Sequence, residues 1–579
     1  MTMGNSTRAD AEASRTHDER TERRIRKAIR SLGWHVPMTE EAVRLADEEQ
    51  RADARGERDA WPTVLRETPE PSTVPRPAPV PMTARQSSKG SSVSVPSIAF
   101  MPFKSSGEYE TRVLLDPAER VAAGFGATGV GVVRPFSTSR MFTALHDMSK
   151  AGQWMNVDYV FDGRIDYVGS RLRATARLVR VSDGTPVWKT AWAGERGDLI
   201  AFENSLAEQL ALVFQPHPTP EQRARFVRPL TANADAYFLY KLGRDRFNSF
   251  NEEGLSEAVT YFERAFDLDP NFADAYASAG ETLIWLILLG LHSPKRGPAK
   301  LLDEARRYTE QALALNPALA NALTCEAFIN MFFKSDWAAA ARGFRRALDE
   351  DSNYVLAYVG LACVLTGQRR FAQALANVEA ALNIDPNSFI CHFLKGTIMY
   401  EARDFARSAR QFEDTLLLHK RLVEQFRSMS ETLPPPDTIF YGLALAYTAL
   451  SRHKEAALAA KRATRYTRNN PIKLALRAYV LAIAGRREEA KAILEQLLQG
   501  RQEDFIPFHI ALIHAALSDK DEADGQHKSA ALRHLLLGRE KCDYWMFLLR
   551  VDPRLDILRS DPGFEALVHE TGLPLSETP

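Results

Sequence analysis

Two patterns of hydrophobic positions divide the chain. Between residues 93 and 216, short apolar runs alternate with turn residues, whereas from residue 234 onward apolar and small residues recur at helical spacing and no strand pattern returns. In residues 171–182, Leu172, Ala174 and Ala176 alternate with polar side chains, the period of a strand with one buried face. The first region therefore predicts a sheet, and the second predicts helices alone.

The first region predicts elements in the order β-α-β-α-β-β-β-α, which is typical of a small α+β domain. Ser182-Asp183-Gly184 supplies a turn between the last two strands. Asp198 is expected to cap the last helix. Strands are expected over residues 97–103, 130–133, 157–168, 171–182 and 185–194, and helices over residues 116–125, 142–154 and 198–214.

A repeat runs through the second region. The small residue early in every second predicted helix recurs at intervals of 47, 35, 34, 34, 48, 34 and 33 residues, at Ala258, Ala305, Ala340, Ala374, Ser408, Ala456, Ala490 and Ala523. The two longer intervals equal one repeat plus an insertion, near residues 288–300 and 420–436. In most repeats a small residue lies twelve positions earlier, and prolines lie twelve positions later at Pro270, Pro317 and Pro386. Small side chains let antiparallel helices approach closely, and proline ends a helix because it lacks the backbone donor.

These residue types and spacings resemble the tetratricopeptide repeat, at about eight copies over residues 234–540. Phe328 and Ser408 depart from the pattern at small positions. The resemblance implies a mostly α fold, an α-solenoid of about eight helix pairs behind the small α+β domain. It also implies that the first helix of every pair lines a concave face.

The α+β region and the end of the chain resemble a second family feature, the TolB-like amino-terminal domain that precedes such arrays in bacterial regulatory proteins. The matching stretches are residues 98–103, 158–160 with Gly163, 171–173 with 175–176, Gly184 with 187–188, and then 551–556, 558–562 and Phe564 near the end. In that family the module is often joined to a nucleotide cyclase, a kinase or a winged-helix domain. Because residues 1–92 are too few for such a domain, the resemblance implies an effector supplied in trans.

Five segments follow from these patterns. Residues 1–60 are expected to form a short helical arm, with a basic run at 20–31, and we hypothesise that it tethers a second component. Residues 61–92 are rich in proline and serine and predict a linker. The TolB-like domain is assigned to 93–216, the solenoid to 234–540 and a capping segment to 541–579.

Composition and charge narrow the function classes. The 579 residues contain 74 basic and 74 acidic side chains, and this balance argues against nucleic acid or an acidic membrane as the main partner. Direct DNA binding stays a third alternative, supported by the basic run alone. The most apolar run, residues 283–291, is too short for a membrane helix, and the start of the chain has no apolar core of a signal peptide. We therefore expect a cytoplasmic protein whose four cysteines are reduced.

No sequence motif predicts catalysis, a metal or a cofactor. Residues 124–129 match GxGxxG, but a predicted helix precedes them and a strand follows, the reverse of a dinucleotide loop, so a helix end and a turn explain the glycines better. His509, His514, His527 and His534 cluster near the end of the array, where core or interface positions are favoured over zinc ligands. We expect a chain that is not an enzyme. The alternative is a nucleotide or small-molecule sensor, or an enzyme, using the α+β domain.

The concave face is the predicted binding site. An apolar, aromatic groove suits a helix or peptide of a protein partner, whose identity the sequence does not give. The alternative is that these side chains belong to the core between repeats or are covered by another part of the chain. The candidates are Trp285, Ile329, Phe332, Phe333, Cys363, Phe393, Tyr400, Tyr441 and Leu445. We expect a scaffold or adaptor, with a signalling or transcription regulator as the other class.

Overall fold

The structure is a computed structural model, and the residues that it describes all lie within the unit Lys89–Pro579. The predicted arm and linker, residues 1–92, lie outside the described part. The structure describes residues 95–105, 116–126, 129–142, 147–168, 171–195, 198–215, 230–248, 251–288, 291, 297–425, 436–466, 470–500, 506–518, 525–541 and 543–572.

A five-stranded mixed sheet opens the described chain. Its strands are β1 (Ser97–Phe100), β2 (Val132–Val133), β3 (Tyr159–Val168), β4 (Arg171–Arg180) and β5 (Pro186–Gly194). The strand order is β2-β1-β3-β4-β5, with β1 parallel to β2 and β3, and β3, β4 and β5 antiparallel. The alternation in β4 leaves Leu172, Ala174, Ala176 and Leu178 buried and their neighbours exposed, as the period of two predicts.

Four helices accompany the sheet in the described residues: α1 (Ala118–Gly126), α2 (Phe136–Met141), α3 (Met148–Trp154) and α4 (Leu199–Phe214). The prediction of a helix over 142–154 is wrong at its start, because α3 begins at Met148. The Asp147 carboxylate caps this start by accepting hydrogen bonds from the Ser149 and Lys150 amides. Helix α2 was not predicted. Asp198 precedes α4, but its carboxylate accepts from the Glu195 amide and does not cap the helix.

Eight antiparallel helix pairs follow in the described residues and confirm the predicted fold class, a mostly α chain with a tetratricopeptide-type solenoid behind a small α+β domain. The sixteen helices are α5 (Ala234–Phe247), α6 (Glu252–Leu268), α7 (Ala273–Leu288), α8 (Pro298–Leu315), α9 (Ala320–Phe333), α10 (Trp337–Glu350), α11 (Val355–Gly367), α12 (Phe371–Ile384), α13 (Phe389–Glu401), α14 (Phe405–Gln425), α15 (Asp437–Ala449), α16 (His453–Tyr466), α17 (Pro471–Ile483), α18 (Arg487–Gln499), α19 (Pro507–Leu517) and α20 (Gln526–Glu540).

Small residues lie where the paired helices approach each other. A Cβ atom on Gly396 would lie 2.6 Å from the Phe412 ring, so only glycine leaves room for that ring between α13 and α14. The departure at Ser408 is accommodated, because its hydroxyl donates to the Gly396 carbonyl at 2.8 Å. The repeat spacing therefore records the contact between the two helices of a pair.

The insertion near residues 420–436 has a packing role where the structure describes it. Its first residues extend α14 to Gln425, and Leu422 is fully buried against Ala99, Met101 and Val160 of the sheet domain. The rest of this insertion, residues 426–435, lies outside the described part. The insertion thus provides an apolar contact between the array and the sheet.

Polar contacts add to this docking. Arg134 donates from Nη1 to the Asn383 carbonyl at 2.7 Å and from Nε to the Met155 carbonyl at 2.8 Å. Nearer the start of the array, Lys241 donates to the fully buried Glu203 carboxylate at 2.8 Å. The sheet domain is therefore held at both the first and the middle repeats.

The described residues end with three short helices. They are two 3₁₀ helices, Tyr544–Leu548 and Pro553–Leu558, and α21 (Pro562–Glu570). Within the described residues, no helix combines the length and the apolar character needed to cross a membrane.

Candidate functional site

Residues 543–572 of the same chain, here named the closing segment, lie against the first helices of the array, along a face here called the groove. Tyr544 meets the Phe332 ring edge-on at a centroid distance of 5.9 Å, and Trp545 lies 6.3 Å from Tyr441. At the far end, the Trp337 indole donates to the Thr571 carbonyl at 2.8 Å. The segment therefore runs from the last helix pair across the groove to the third.

Three aspartates shape the closing segment. Asp543, Asp552 and Asp561 each precede a short helix and accept a hydrogen bond from a backbone amide in its first turn. Proline follows directly after Asp552 and Asp561, where its fixed φ suits the first helical position. The repeated aspartate-proline pairs are thus helix-start signals.

A buried ion pair fixes the middle of the segment. The Arg554 guanidinium donates from Nε to Oδ1 of Asp552 at 2.9 Å and from Nη2 to Oδ2 at 2.6 Å, and both side chains are almost fully removed from solvent. The guanidinium also lies over the Tyr479 ring, 5.8 Å from its centroid. An internal pair of this kind satisfies both charges inside an apolar groove.

Glu401 lies beside this pair at the end of α13. Burial raises the pKa of Glu401 well above its ordinary value of 4.5, with a further contribution from Asp552, and Arg554 opposes the rise. Its Oε2 atom has no hydrogen-bond partner within the described residues. The geometry favours a neutral Glu401 carboxyl group in the folded protein, because a second buried carboxylate would repel Asp552.

His509 completes the buried polar group on the other side of Tyr441. Its Nε2 lies 3.4 Å from the Tyr441 hydroxyl oxygen. Burial lowers the pKa of His509 well below its ordinary value, and the positive charges of Arg554 and Lys473 lower it further. The imidazole is therefore neutral.

The chemistry of this site is that of holding a segment in place. Between the closing segment and the array remains a cavity of about 10 Å³, lined by Glu401, Arg554 and aromatic rings. This cavity has room for about one water molecule, so a small-molecule substrate does not fit without movement. Burial is the largest cause of the altered pKa values of Glu401 and His509.

The structure places the predicted groove residues mostly beneath the closing segment. Phe332 and Tyr441 contact it directly, and Phe393, Tyr400 and Leu445 line the small cavity with it. The buried candidates are Trp285, Ile329, Cys363, Tyr400, Tyr441 and Leu445, and the half-buried ones are Phe332 and Phe393. Phe333 belongs to α9, and its side chain lies outside the described part.

Sequence reasoning missed Glu401, Asp552 and Arg554 as members of this site. The signal that could have found the last two is the Asp-Pro-Arg run at 552–554, which places opposite charges two residues apart within apolar surroundings. Nothing comparable marks Glu401, whose position becomes special only because the groove is covered.

The glycine motif packs two helices together. Gly124 and Gly126 lie in α1, β2 follows, and Gly129 has φ +68°. A Cβ atom on Gly124 would lie 3.1 Å from the Cβ atom of Ala207 in α4. A helix precedes the strand, as expected, and close helix packing explains Gly124.

Three of the four histidines meet within the last helix pair. The Nδ1 atoms of His514 in α19 and His527 in α20 lie 2.9 Å apart, and the His534 ring stacks on His514. Burial, then the neighbouring histidines, lowers the pKa of His514 to about 3. No group of three metal-ligating side chains suited to an ion occurs in the described ranges.

The described cysteines are also buried. Cys325, Cys363 and Cys391 are free thiols inside the array, and burial raises the pKa of Cys363 and of Cys391 to about 12. Thiolate chemistry at neutral pH is therefore disfavoured at these two sites. Cys542 lies outside the described residues.

Comparison with known proteins gives limited likenesses, and no family model matches the chain. It is 24% identical over 186 residues to "Putative adenylate cyclase 3" of Rhizobium meliloti (strain 1021), over 32% of each protein. The chain thus matches about a third of that relative's length.

Three solved structures of helical proteins are similar in part. PilW, a type IV pilus biogenesis factor, matches at 16% identity and a TM-score of 0.31, over 41% of this chain and 97% of that one. A tetratricopeptide repeat protein from Parabacteroides merdae ATCC 43184 matches at 13% identity and a TM-score of 0.31, over 51% of this chain and 98% of that one. The Cut9–Hcn1 hetero-tetramer of APC/C matches at 14% identity and a TM-score of 0.32, over 65% of this chain and 52% of that one. The assignment of the array rests on its own helix pairs and spacing.

Proposed function

We propose that the chain is a non-enzymatic scaffold or adaptor that binds a protein partner in the concave face of its array. The observation that supports this is the closing segment itself, which lies in the groove as a bound peptide would. Aromatic side chains of the segment meet Phe332 and Tyr441, and one arginine is fully enclosed. Aromatic and arginine anchors of this kind carry most of the energy in peptide recognition.

The closing segment also defines the chemistry of the partner. A segment that replaces it would place an aromatic side chain near Tyr441 and an arginine paired with its own carboxylate. Burial raises the pKa of Glu401 and so disfavours the charged form that could pair with that arginine. Binding in the groove and release of the closing segment are therefore one equilibrium. The partner's apparent affinity falls in proportion to the fraction of molecules whose groove is open.

A nicked chain tests this proposal. A protease site placed at residues 541–542 and cut after folding leaves the closing segment held by non-covalent contacts alone. A labelled peptide of residues 543–572 should then exchange into the groove, as measured by fluorescence anisotropy. Phe332→Glu and Phe393→Glu should each weaken the exchange, whereas the exposed control Leu458→Glu should leave it unchanged. Equal exchange in all variants would place the binding site elsewhere.

A second candidate is a regulatory component of a signalling system that acts on a nucleotide cyclase in trans. The name of the Rhizobium meliloti relative supports it, over the third of that protein that matches. The test mixes the purified chain with candidate cyclases from the same cell and measures cyclic nucleotide formation with and without the chain. An unchanged rate, together with failure of the two proteins to co-purify, would leave the scaffold proposal standing alone.

A further inference from the structure

The outer face of the sheet carries a concentrated positive charge. Strand register places Arg173 opposite Asp166 and Ala193, and Arg177 opposite Asp162 and Lys189, so these side chains share one face. The described members of the face are Lys104, Asp162, Arg164, Asp166, Arg171, Arg173, Thr175, Arg177, Lys189, Ala191 and Ala193. Six cations and two carboxylates give a net charge of four positive on a chain whose total formal charge is zero.

Four of the cations have no ion-pair partner within the described residues. Both carboxylates are engaged: Asp162 accepts two hydrogen bonds from Arg177, at 2.7 and 2.9 Å, and Asp166 pairs with Arg164. The exposed cations that remain are Lys104, Arg171, Arg173 and Lys189. The last three lie on β4 and β5, and all four can receive an anionic partner without breaking a pair.

The same region ends in an open strand edge. β5 is the last strand of the sheet, and no described strand pairs with its outer side. Natural proteins disfavour uncontrolled pairing at such edges with proline and charged residues, and β5 carries Pro186 and Lys189. On the opposite face of β5, Trp188 and Trp192 are half-buried, and Trp192 stacks on Phe202 of α4 at 4.4 Å. The edge therefore has a basic side and an aromatic side.

We propose that the outer edge of β5 binds an extended segment of a protein partner in which acidic and apolar residues alternate. Successive side chains of an added strand point to opposite faces. Acidic side chains on one face would lie beside Lys189 and, across the small Ala191 and Ala193, within reach of Arg173. Apolar side chains on the other face would pack beside the two tryptophans. Main-chain hydrogen bonds supply the remaining affinity, as in other strand-addition complexes.

The face suits an acidic peptide better than a nucleic acid. Single-stranded nucleic acids bind through aromatic rings on which bases stack, and the described residues of the basic face include no aromatic ring. The aromatic rings of β5 lie on the opposite face, away from Arg173 and Lys189. A nucleic acid would thus contact the basic side chains through its phosphates but would make no contact with the tryptophan side of the edge.

The test uses the full chain and labelled eight-residue peptides in fluorescence anisotropy titrations. A peptide with alternating glutamate and valine should bind, whereas peptides with the same residues in two blocks, or with lysine in place of glutamate, should bind at least about tenfold more weakly. Two further peptides carry N-methyl groups at odd or at even positions. Because only one edge of the added strand faces β5, one of them should lose binding and the other should keep it.

Variants separate this site from general charge attraction. Arg173→Glu and Lys189→Glu should each reduce the affinity about tenfold, and the exposed Lys454→Glu on α16 should not change it. Equal binding of the alternating and block peptides, or equal effects of the two methylation patterns, would overturn strand addition. The proposal would also be overturned if no probe bound. The same holds if a DNA or RNA oligonucleotide bound at this face and the alternating peptide did not.

Discussion

Arg554 is the residue on which the closing segment depends most. Its guanidinium lies inside the groove, and its removal would leave the buried Asp552 carboxylate without its counter-charge. Breaking one side of a buried ion pair costs about 3–5 kcal/mol. We predict that Arg554→Met lowers the free energy of unfolding by about this amount and releases residues 543–572 to proteases. The measurements are urea unfolding and limited proteolysis.

The matched control for Arg554 is Arg306, which forms an exposed ion pair with Asp303. Arg306→Met should have a much smaller effect, because water solvates both partners in either state. The double change Asp552→Asn with Arg554→Met should recover part of the loss, since no unpaired charge remains. If the single and double variants were equally unstable, the charge would not be the cause.

Glu401 makes stability depend on pH. Burial raises its pKa in the folded state, so the native protein binds a proton that the unfolded chain releases above about pH 4.5. This contribution to stability is present at low pH and is lost as pH rises toward the raised pKa. We predict that Glu401→Gln raises Tm relative to the wild type, and that the gap widens from pH 5 to pH 8. Thermal unfolding of both proteins measures this difference in Tm, with the exposed Glu488→Gln as control. A difference in Tm that stays constant from pH 5 to pH 8 would contradict the prediction.

At this scale the sequence predicted where apolar groove residues lie but left open what covers them. The spacing places Phe332, Phe393 and Tyr441 on first helices, because a helix face follows from its period. The buried charges depend on contacts more than a hundred residues apart, such as Arg554 with Tyr441. Local spacing carries no information about such contacts.

The extended helix α14 is the element that joins the array to the sheet domain. Leu422 is fully buried among residues of β1 and β3, and a leucine-to-alanine change at such a site costs about 2–5 kcal/mol. We predict that Leu422→Ala raises amide exchange in α3 and β3 while the distant pairs α17 to α20 stay protected. Hydrogen exchange with mass spectrometry measures it, with the exposed Leu458→Ala as control. Uniform loss of protection would mean that the two parts unfold together.

Elements were predictable where their pattern is local. The strands of the sheet follow from a period of two residues and the helices from a period of 3.6 residues. Small residues at fixed spacing predicted which helices form a pair. The short helix α2 (Phe136–Met141) was missed because six residues are too few to show a period. The helix extension in the insertion was left open, because its apolar side chains pack against a distant sheet rather than the neighbouring repeat.

At the scale of the whole molecule, the closing segment changes how the array unfolds. In a repeat array each pair contacts only its neighbours, so stability is nearly a sum of local terms. Here one segment contacts the third pair through Trp337 and Phe332, the middle pairs through Arg403 and Tyr441, and the last through Phe508. These contacts couple repeats that are otherwise independent.

Release of the closing segment should remove this coupling. Leu555 is fully buried in the segment, and Leu555→Asp would place a charge in the apolar groove and expel the segment. We predict that the wild-type array loses amide protection over pairs three to eight in one transition as denaturant rises. In the variant, the last pairs should lose protection at lower denaturant than the third and fourth, with far-UV circular dichroism unchanged in water. The exposed Leu536→Asp on α20 is the control for an added charge. Identical transitions in wild type and variant, with the segment shown by proteolysis to be released, would mean that neighbouring repeats alone set the cooperativity of the array.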